Sequence, residues 1–429
     1  MAIQVGRADA VVLSTDTATT NIDVNVGFTP TAGAYLCIVY WSGATSSTDA
    51  TGSGDISMGI GFGVSSTSRG GASGFSQDNQ TSSVASKSIF DDAILKATDG
   101  TDAVVGALDF SGEITNGVRF TVDDQFPATI RFGVVVIDGL SDVGIFNILS
   151  PAATGNANHT GAGVDNADLF LFIQSGPTTT IPSASSALQF GFGAAHADGQ
   201  WSVNVVTRDN QANMDTYNYG LDLECIAMQN VAGAPIARAS FVAAITDGLT
   251  LNWLEAGATN AITICAALKG IEATVQNGLT QTDTTTDIVI TGLAEPCIGG
   301  LVVSNCEAES TQNAASTHHH FSFGSFTGTA SRNAHGTWDE DATANSECAT
   351  SVEYDAVYTN IDSTDAVQGL MDIKSLDSGG ATFIMDDADP AQKWFGAILF
   401  GAAATGRTAL NTRSNPLGME IGMGWRMPI

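Results

Sequence analysis

Positive charge is scarce in this sequence. Its 429 residues contain only 15 Lys and Arg against 45 Asp and Glu, which gives a formal net charge of −30. Nucleic-acid phosphates and anionic membrane surfaces are both recognised by clustered Lys and Arg, so the composition argues against both partners. No run approaches the roughly 20 apolar residues that cross a bilayer. No signal-peptide pattern opens the sequence, so we expect synthesis in a cytoplasm.

Catalytic and cofactor motifs are also missing. The sequence has no GxSxG elbow, no Walker A loop, no HExxH motif and no GxGxxG before a helix. Its six cysteines form no CxxC pair, and four of them lie in apolar, strand-like runs. This is typical of reduced, buried thiols, with a Cys297–Cys306 disulfide as the alternative. We therefore predict no cofactor and no enzymatic activity.

A unit of about 131 residues occurs three times. Three strand-like runs end in Gly139, Gly270 and Gly401, which follow one another at intervals of 131 residues. The same interval relates three further triplets: Asp78, Asp209 and Glu340; Asp124, Glu255 and Asp386; Gly117, Gly248 and Gly379. Upstream, the runs Ile60–Gly63, Phe190–Gly193 and Phe321–Gly324 align with small changes of spacing. Self-similarity at a fixed period predicts a repeat architecture.

Each unit has the pattern of β-strands. Short runs rich in Val, Ile, Phe and Thr alternate with Gly, Asp, Asn and Ser clusters. The run Val134–Ile137 is apolar at every position, as in strands covered on both faces. Residues 86–96 and 217–228 fit either helix or strand. About eight strands per unit, joined by Gly-rich turns, predict antiparallel β-sandwiches that resemble jelly rolls.

We therefore predict an all-β chain of three tandem β-sandwich repeats with a C-terminal extension. The predicted boundaries are 1–141, 142–271 and 272–402 for the repeats and 403–429 for an extended arm. The arm is basic and carries Met and Trp, which are enriched with Arg at interface cores. It is either a frayed terminus or a docking arm attracted to an acidic body. The predicted contacts are Arg407, Arg413, Met419, Met423, Trp425, Arg426 and Met427.

Three consecutive histidines are the most unusual local feature. On a strand, His318 and His320 point to one face, where they could bind Zn²⁺ or Ni²⁺ with a third ligand such as His335 or Asp339. A solvated pair, a pair in contact with a neighbour, and a buried histidine at a trimer axis are alternatives. Acidic clusters such as Asp339-Glu340-Asp341 could bind Ca²⁺. None has EF-hand spacing, so a solvated acidic surface is favoured.

One resemblance rests on strand and glycine positions. The run Asp247–Trp253, followed by Ile262–Gly270, and the run Phe190–Ala195 resemble β-sandwich modules encoded in structural gene clusters of tailed bacteriophages. The resemblance covers the second half of each repeat more closely than the first half, and no functional residue carries over. It implies a non-enzymatic virion protein, a capsid decoration or tail component, that is assembled in the host cytoplasm onto other virion proteins. Homo-oligomers are expected, or a pseudo-threefold unit within one subunit.

A receptor- or glycan-binding tail fibre or head spike is the alternative function. Exposed aromatic rings at the sandwich tips would then stack on sugars of the host surface. The candidates are Trp41, Trp201, Trp253 and Trp338. Packing in the core is the other interpretation of these four rings. A glycan hydrolase with a carboxylate pair is a third hypothesis.

Overall fold

The computed structural model describes residues 2–176, 178, 180–256, 261–308, 315–362 and 364–402. These residues form antiparallel β-sheets, so the predicted all-β class is confirmed. Throughout the described ranges no helix occurs, and hence none that is long and apolar enough to cross a membrane.

The strands are named in chain order. The first eleven are β1 (Gln4–Val12), β2 (Asn21–Asn25), β3 (Tyr35–Trp41), β4 (Ala50–Ser53), β5 (Ile56–Ser65), β6 (Ser68–Ser76), β7 (Ala85–Phe90), β8 (Leu95–Thr98), β9 (Val104–Ile114), β10 (Gly117–Asp124) and β11 (Ile130–Asp138). The next eleven are β12 (Asp142–Leu149), β13 (Gly155–Thr160), β14 (Leu169–Gln174), β15 (Ser183–Ser186), β16 (Leu188–His196), β17 (Gly199–Thr207), β18 (Thr216–Leu221), β19 (Ile226–Gln229), β20 (Pro235–Ile245), β21 (Gly248–Glu255) and β22 (Ile262–Lys269). The last are β23 (Glu272–Leu279), β24 (Ile288–Thr291), β25 (Cys297–Ser304), β26 (Ala315–Thr317), β27 (His319–Gly328), β28 (Ser331–Asp339), β29 (Cys348–Glu353), β30 (Tyr358–Ile361), β31 (Val367–Asp377), β32 (Gly380–Asp387) and β33 (Trp394–Gly401).

Two sheet types alternate along the described chain. Seven-stranded sheets have the orders β1-β11-β3-β5-β6-β7-β15, β12-β22-β14-β16-β17-β18-β26 and β23-β33-β25-β27-β28-β29-β4. Four-stranded sheets have the orders β2-β10-β9-β8, β13-β21-β20-β19 and β24-β32-β31-β30. We call the eleven strands of one stretch of chain a set; they form six strands of a large sheet, a four-stranded sheet and one strand that joins another large sheet. The first, second and third sets draw on β1–β11, β12–β22 and β23–β33, and the second and third start where the predicted boundaries lie.

The expected number of about eight strands per unit was too low. Eleven fall in each stretch of the described chain, because strands as short as β4 and β26 escape a search for longer runs. The two segments that the sequence left open are strands: β7 and β8 in the first, β18 and β19 in the second.

Strand β3 shows why the central strands are apolar at every position. Leu36, Ile38 and Tyr40 lie in one core, while Cys37 and Val39 lie in another. Side chains alternate along a strand, so a sheet between two cores needs apolar residues on both faces. The first core is central and is shared by all three seven-stranded sheets. Each set has its own outer core between its two sheets.

The structure corrects the alignment of the units. Gly61, Gly193 and Gly324 are equivalent, because a Cβ on each would meet a backbone carbonyl 2.0 Å away or less. The sequence alignment matched Gly63 to Gly193 instead. Similarly, the glycines that open β10, β21 and β32 include Gly380 and not Gly379. One-residue bulges interrupt the β5–β6 and β27–β28 pairings but not the β16–β17 pairing, and hydrophobic patterns do not locate such bulges.

Candidate functional site

The seventh strand of each large sheet comes from a different set. Strand β15 of the second set pairs with β7 of the first, and β26 of the third pairs with β18 of the second. Strand β4 of the first set pairs with β29 of the third. The three transfers run in one direction, and the last one closes the ring. Each added strand covers a sheet edge that would otherwise expose unpaired backbone groups.

One side-chain hydrogen bond recurs at these three junctions. A half-buried aspartate after one strand accepts the backbone N–H that opens a strand in the neighbouring set. The pairs are Cys348 N–H to Asp78 at 3.0 Å, Ala85 N–H to Asp209 at 3.0 Å and Thr216 N–H to Asp341 at 3.0 Å. The 131-residue interval identified the first two acids, but it placed the third at Glu340. Because the same bond occurs three times in cyclic order, the junctions are built alike.

The loops next to these aspartates also bond to one another. Backbone N–H groups donate in cyclic order: Asn79 to Ser346 O at 2.8 Å, Asn210 to Ser83 O at 2.8 Å and Ala342 to Met214 O at 2.9 Å. All three donors have a positive φ, between 54° and 63°. Asn adopts this left-handed conformation more readily than Ala, so Ala342 is the more strained of the three.

A buried polar cluster lies where the three sets meet. Ser76, Thr207 and Asp339 are the last residues of β6, β17 and β28, and hence equivalent. The hydroxyls of Ser76 and Thr207 each donate to Asp339 Oδ2 at 2.8 Å. The ring of His319 joins the cluster, with Nδ1 3.2 Å from Thr207 Oγ1 and Nε2 3.0 Å from Thr337 Oγ1. Asp339 and His319 are both fully buried. We call these five residues the axial cluster.

Burial determines the charges in the axial cluster. It raises the pKa of Asp339 to about 7, although the hydroxyls of Ser76 and Thr207 act in the opposite direction. Burial lowers the pKa of His319 to about 3, so this imidazole is neutral at pH 7. A neutral ring donates from Nδ1 to Thr207 and accepts at Nε2 from Thr337, which satisfies both nitrogens. With both titratable groups fully buried, no substrate reaches them. The cluster can hold the sets together, but it cannot act on a ligand.

The sequence singled out different histidines. The ring centroids of His318 and His320 lie 6.3 Å apart, and both rings contact Trp338 at 6.2 and 6.1 Å. The nitrogens of His320 are buried without a hydrogen-bond partner, and burial lowers its pKa well below the usual value. Of the candidate third ligands, His335 lies 3.2 Å from Ser42 Oγ, and Asp339 belongs to the axial cluster. Among the described residues, these contacts do not bring His318 and His320 together with a third ligand, and the buried histidine of the axial cluster is His319.

The four tryptophans proposed to bind glycans lie in the interior. The exposed fractions of Trp41, Trp201, Trp253 and Trp338 are 3%, 0%, 1% and 3%. Their ring faces are covered by protein, so the core interpretation describes them and stacking on sugars does not. The six cysteines are buried and free, so the Cys297–Cys306 alternative is wrong. The arm residues Arg407, Arg413, Met419, Met423, Trp425, Arg426 and Met427 lie outside the described residues.

The first set contains a cleft of about 610 Å³ next to β4. Phe75, Val84 and Ile130 contribute apolar surface to it, and Asp55 and Asp99 contribute carboxylates. Both acids already accept backbone N–H groups, Asp55 from Asp78 at 2.9 Å and Asp99 from Thr101 at 2.8 Å. These bonds are typical of acids that stabilise turns. The cleft is therefore a concave surface, but its two carboxylates already accept hydrogen bonds that stabilise turns.

Comparisons with known proteins do not identify a family. No family model matches the chain, and no curated protein matches it. Among solved structures, the OmpT outer membrane protein of Vibrio cholerae is 8% identical over 93% of this chain and 96% of that chain, with a TM-score of 0.10. A TM-score of this size carries no argument about fold or function.

Proposed function

We propose that the chain is a non-enzymatic structural protein of a tailed-phage particle, a capsid decoration or tail component. In this proposal three β-sandwich repeats of one chain form a pseudo-threefold ring. The cyclic exchange of β4, β15 and β26 is the observation that carries the proposal. It builds within one chain the reciprocal contacts by which three separate subunits would form a trimer.

The sheet connections support the sandwich interpretation. In the first set, β1 and β3 flank β11 in one sheet, while β2 lies beside β10 in the other. This interleaving of first and last strands is the feature shared with jelly rolls, and the middle strands form simple meanders. The other two sets have the same connections. These connections support the proposal that each repeat is a β-sandwich that is jelly-roll-like at its chain ends.

The ring also favours a pseudo-threefold unit within one subunit over a homo-oligomer. Threefold contacts are completed inside a single chain, so a homo-oligomer is not needed to cover the sheet edges at β7, β18 and β29. We expect a mass of 44.1 kDa in solution by light scattering, that of one chain. Attachment to other virion proteins would then come from the acidic outer surface and from the basic residues of 403–429.

Immunogold electron microscopy of particles tests this function, with antibody raised against the purified full-length chain. Label on the capsid or tail of particles is the expected result, and pre-immune serum is the control. Label confined to the tail tip or spikes would replace the decoration role by the receptor-binding alternative. Abundant protein in producing cells without label on any particle would refute the virion proposal.

A further inference from the structure

Three carboxylates meet where the first set closes onto the third. Asp49 precedes β4, Glu353 ends β29 and Asp355 follows it. One carboxylate oxygen from each lies within 4.8 Å of the others. The segments are brought together by the β4–β29 pairing, although more than 300 residues separate them in sequence. We call these three residues the closure cluster.

Glu353 distinguishes the closure cluster from a solvated acidic patch. The residue is 4% exposed, and within the described chain its carboxylate has no hydrogen bond and no ion pair. Its carboxylate points toward Asp49 and Asp355, which are exposed at the rim. A buried carboxylate is normally paired or hydrogen-bonded, because desolvation of an unpaired charge is costly. This one faces only other acids.

The charges around Glu353 do not compensate for its burial. Burial raises the pKa of Glu353 to about 7, and Asp49, Asp355 and Asp387 each add to the increase. The guanidinium of Arg332, whose charge acts on Asp355, is engaged by other acceptors: it donates to the backbone oxygen of Asp355 at 2.6 Å and to Asp372 at 2.8 Å. Within the described chain, the carboxylates of the closure cluster therefore have no positive charge paired with them.

The other junctions show that the fold does not require these acids. Phe90 and Leu221 end β7 and β18 at the position that Glu353 occupies in β29. In the first set, Asp92 corresponds to Asp355, and Lys96 pairs with it at 2.7 Å. Pro182 precedes β15 at the position equivalent to that of Asp49 before β4. Within the described residues, the third junction alone has an acid at this strand end, and it has clustered carboxylates where the first junction has Phe90 and a salt bridge.

We propose that the closure cluster binds a Ca²⁺ ion that ties the β4 segment of the first set to β29 of the third. Ca²⁺ takes six to eight oxygen ligands in flexible geometry, and carboxylates with water molecules supply them. Mg²⁺ fits less well, because it requires compact octahedral geometry. The ion neutralises Glu353 and strengthens the closure of the ring.

Terbium luminescence and calorimetry test this proposal on the full-length protein. Tyr354 lies between Glu353 and Asp355 in sequence and its N–H donates to Asp49 at 2.6 Å, so it can sensitise Tb³⁺ emission. We expect saturable emission that Ca²⁺ displaces, and one Ca²⁺ per chain by calorimetry at about 0.15 M salt. Tyr354→Phe should lower the emission several-fold and leave Ca²⁺ affinity within about twofold.

Matched variants assign the ion to the closure cluster. Asp49→Asn, at an exposed position, and Glu353→Gln should each weaken Ca²⁺ binding at least tenfold. The control Asp92→Asn, at the equivalent of Asp355, should bind Ca²⁺ as the unaltered protein does. Thermal unfolding adds a second readout: Ca²⁺ at about 100 times its Kd should raise the Tm by on the order of 3 °C. At the same Ca²⁺ concentration a tenfold weaker Kd leaves about half of this increase, so Asp49→Asn and Glu353→Gln should each show half of it or less.

Two results would overturn the proposal. One is the absence of saturable Ca²⁺ binding at millimolar concentrations in the unaltered protein. The other is equal Ca²⁺ affinity in the unaltered protein, Asp49→Asn and Glu353→Gln, which would place the ion elsewhere on the acidic surface. A cooperative thermal transition in each variant shows that it is folded, so loss of binding is not loss of the fold.

Discussion

The three interfaces between sets use equivalent positions but different chemistry. The third residue of β6, β17 and β28 is Gly70, Trp201 and Asn333, respectively. A Cβ on Gly70 would meet Ile264 of the second set at 3.3 Å. Trp201 lies over Gly396 of the third set, with its ring atoms 2.3 Å from the Cβ position of that glycine.

The third interface is polar. Asn333 accepts hydrogen bonds from the Tyr40 hydroxyl and from Arg7 Nε, and donates to Asp9 at 2.6 Å. Tyr40 in turn covers Gly133, the first-set equivalent of Ile264 and Gly396. The first two interfaces therefore combine a glycine on one side with a filling side chain on the other, whereas at the third interface Gly133 is covered by Tyr40 of its own set. Since the combinations differ, a set matches only its own neighbour, which defines the order of the ring.

Of the substitutions that test this comparison, Trp201→Ala should lower the free energy of unfolding the most. The ring is fully buried and packs between Phe192, at 6.0 Å, and Trp394, at 6.3 Å. Its removal leaves a cavity at the interface and should lower the free energy of unfolding by about 3–5 kcal/mol in urea titrations. The equivalent polar change, Asn333→Ala, should cost about 1–3 kcal/mol. A smaller loss for Trp201→Ala than for Asn333→Ala would contradict this account of the interfaces.

The substitution Asp339→Asn tests the titration of the buried carboxyl group in the axial cluster. The folded protein holds a proton on Asp339 up to about pH 7, because burial raises its pKa, whereas the unfolded chain releases this proton near the usual pKa of 3.8. The stability that this proton contributes is complete below pH 4 and is lost as pH rises to about 7. The loss is on the order of 4 kcal/mol.

The other carboxylates give both proteins the same pH dependence of stability. The difference in unfolding free energy between Asp339→Asn and the unaltered protein therefore reports on Asp339 alone. We expect the variant to be the more stable protein at pH 8, with the advantage shrinking toward pH 4. The measurement is the free energy of unfolding across this pH range. An advantage that does not depend on pH would show that Asp339 does not titrate as the structure indicates.

Substitution of the junction aspartates should lower the free energy of unfolding by an intermediate amount. We expect this amount to be similar at all three junctions. Asp78→Ala, Asp209→Ala and Asp341→Ala each remove an acceptor from a strand-opening N–H, and each should cost about 1–2 kcal/mol. Asn at the same positions keeps an acceptor oxygen and is the matched control. Unequal costs, measured by urea unfolding, would show that one junction closes the ring more weakly than the others.

Removal of residues 403–429 should have the smallest effect on stability. The described cores end at Gly401, so we expect a change below about 0.5 kcal/mol in unfolding free energy. The truncated protein should no longer attach to particles in a sedimentation assay, with the full-length chain as the control. A truncated protein that still sediments with particles would exclude the arm from docking.

The sequence predicted local structure well where a pattern repeats at short range. In β11, Val135 and Ile137 lie in the central core and Val134 and Val136 in the outer one, as expected for a strand covered on both faces. Glycines and acids at constant intervals revealed equivalent segments, with errors of one or two residues. Those errors have a physical cause, because a bulge shifts the register by one residue without changing the hydrophobic pattern.

The all-β class, the buried cysteines and the spacing of equivalent segments were thus determined by the sequence alone, through period-2 burial and turn residues that act over a few positions. Only the tertiary structure decided the exchange of strands, the axial cluster and the closure cluster. Ser76, Thr207 and Asp339 share no residue type, and Asp49 and Glu353 are far apart in sequence. Their proximity depends on how sheet edges pair around the ring, and edge pairing is made by backbone groups that every residue type carries.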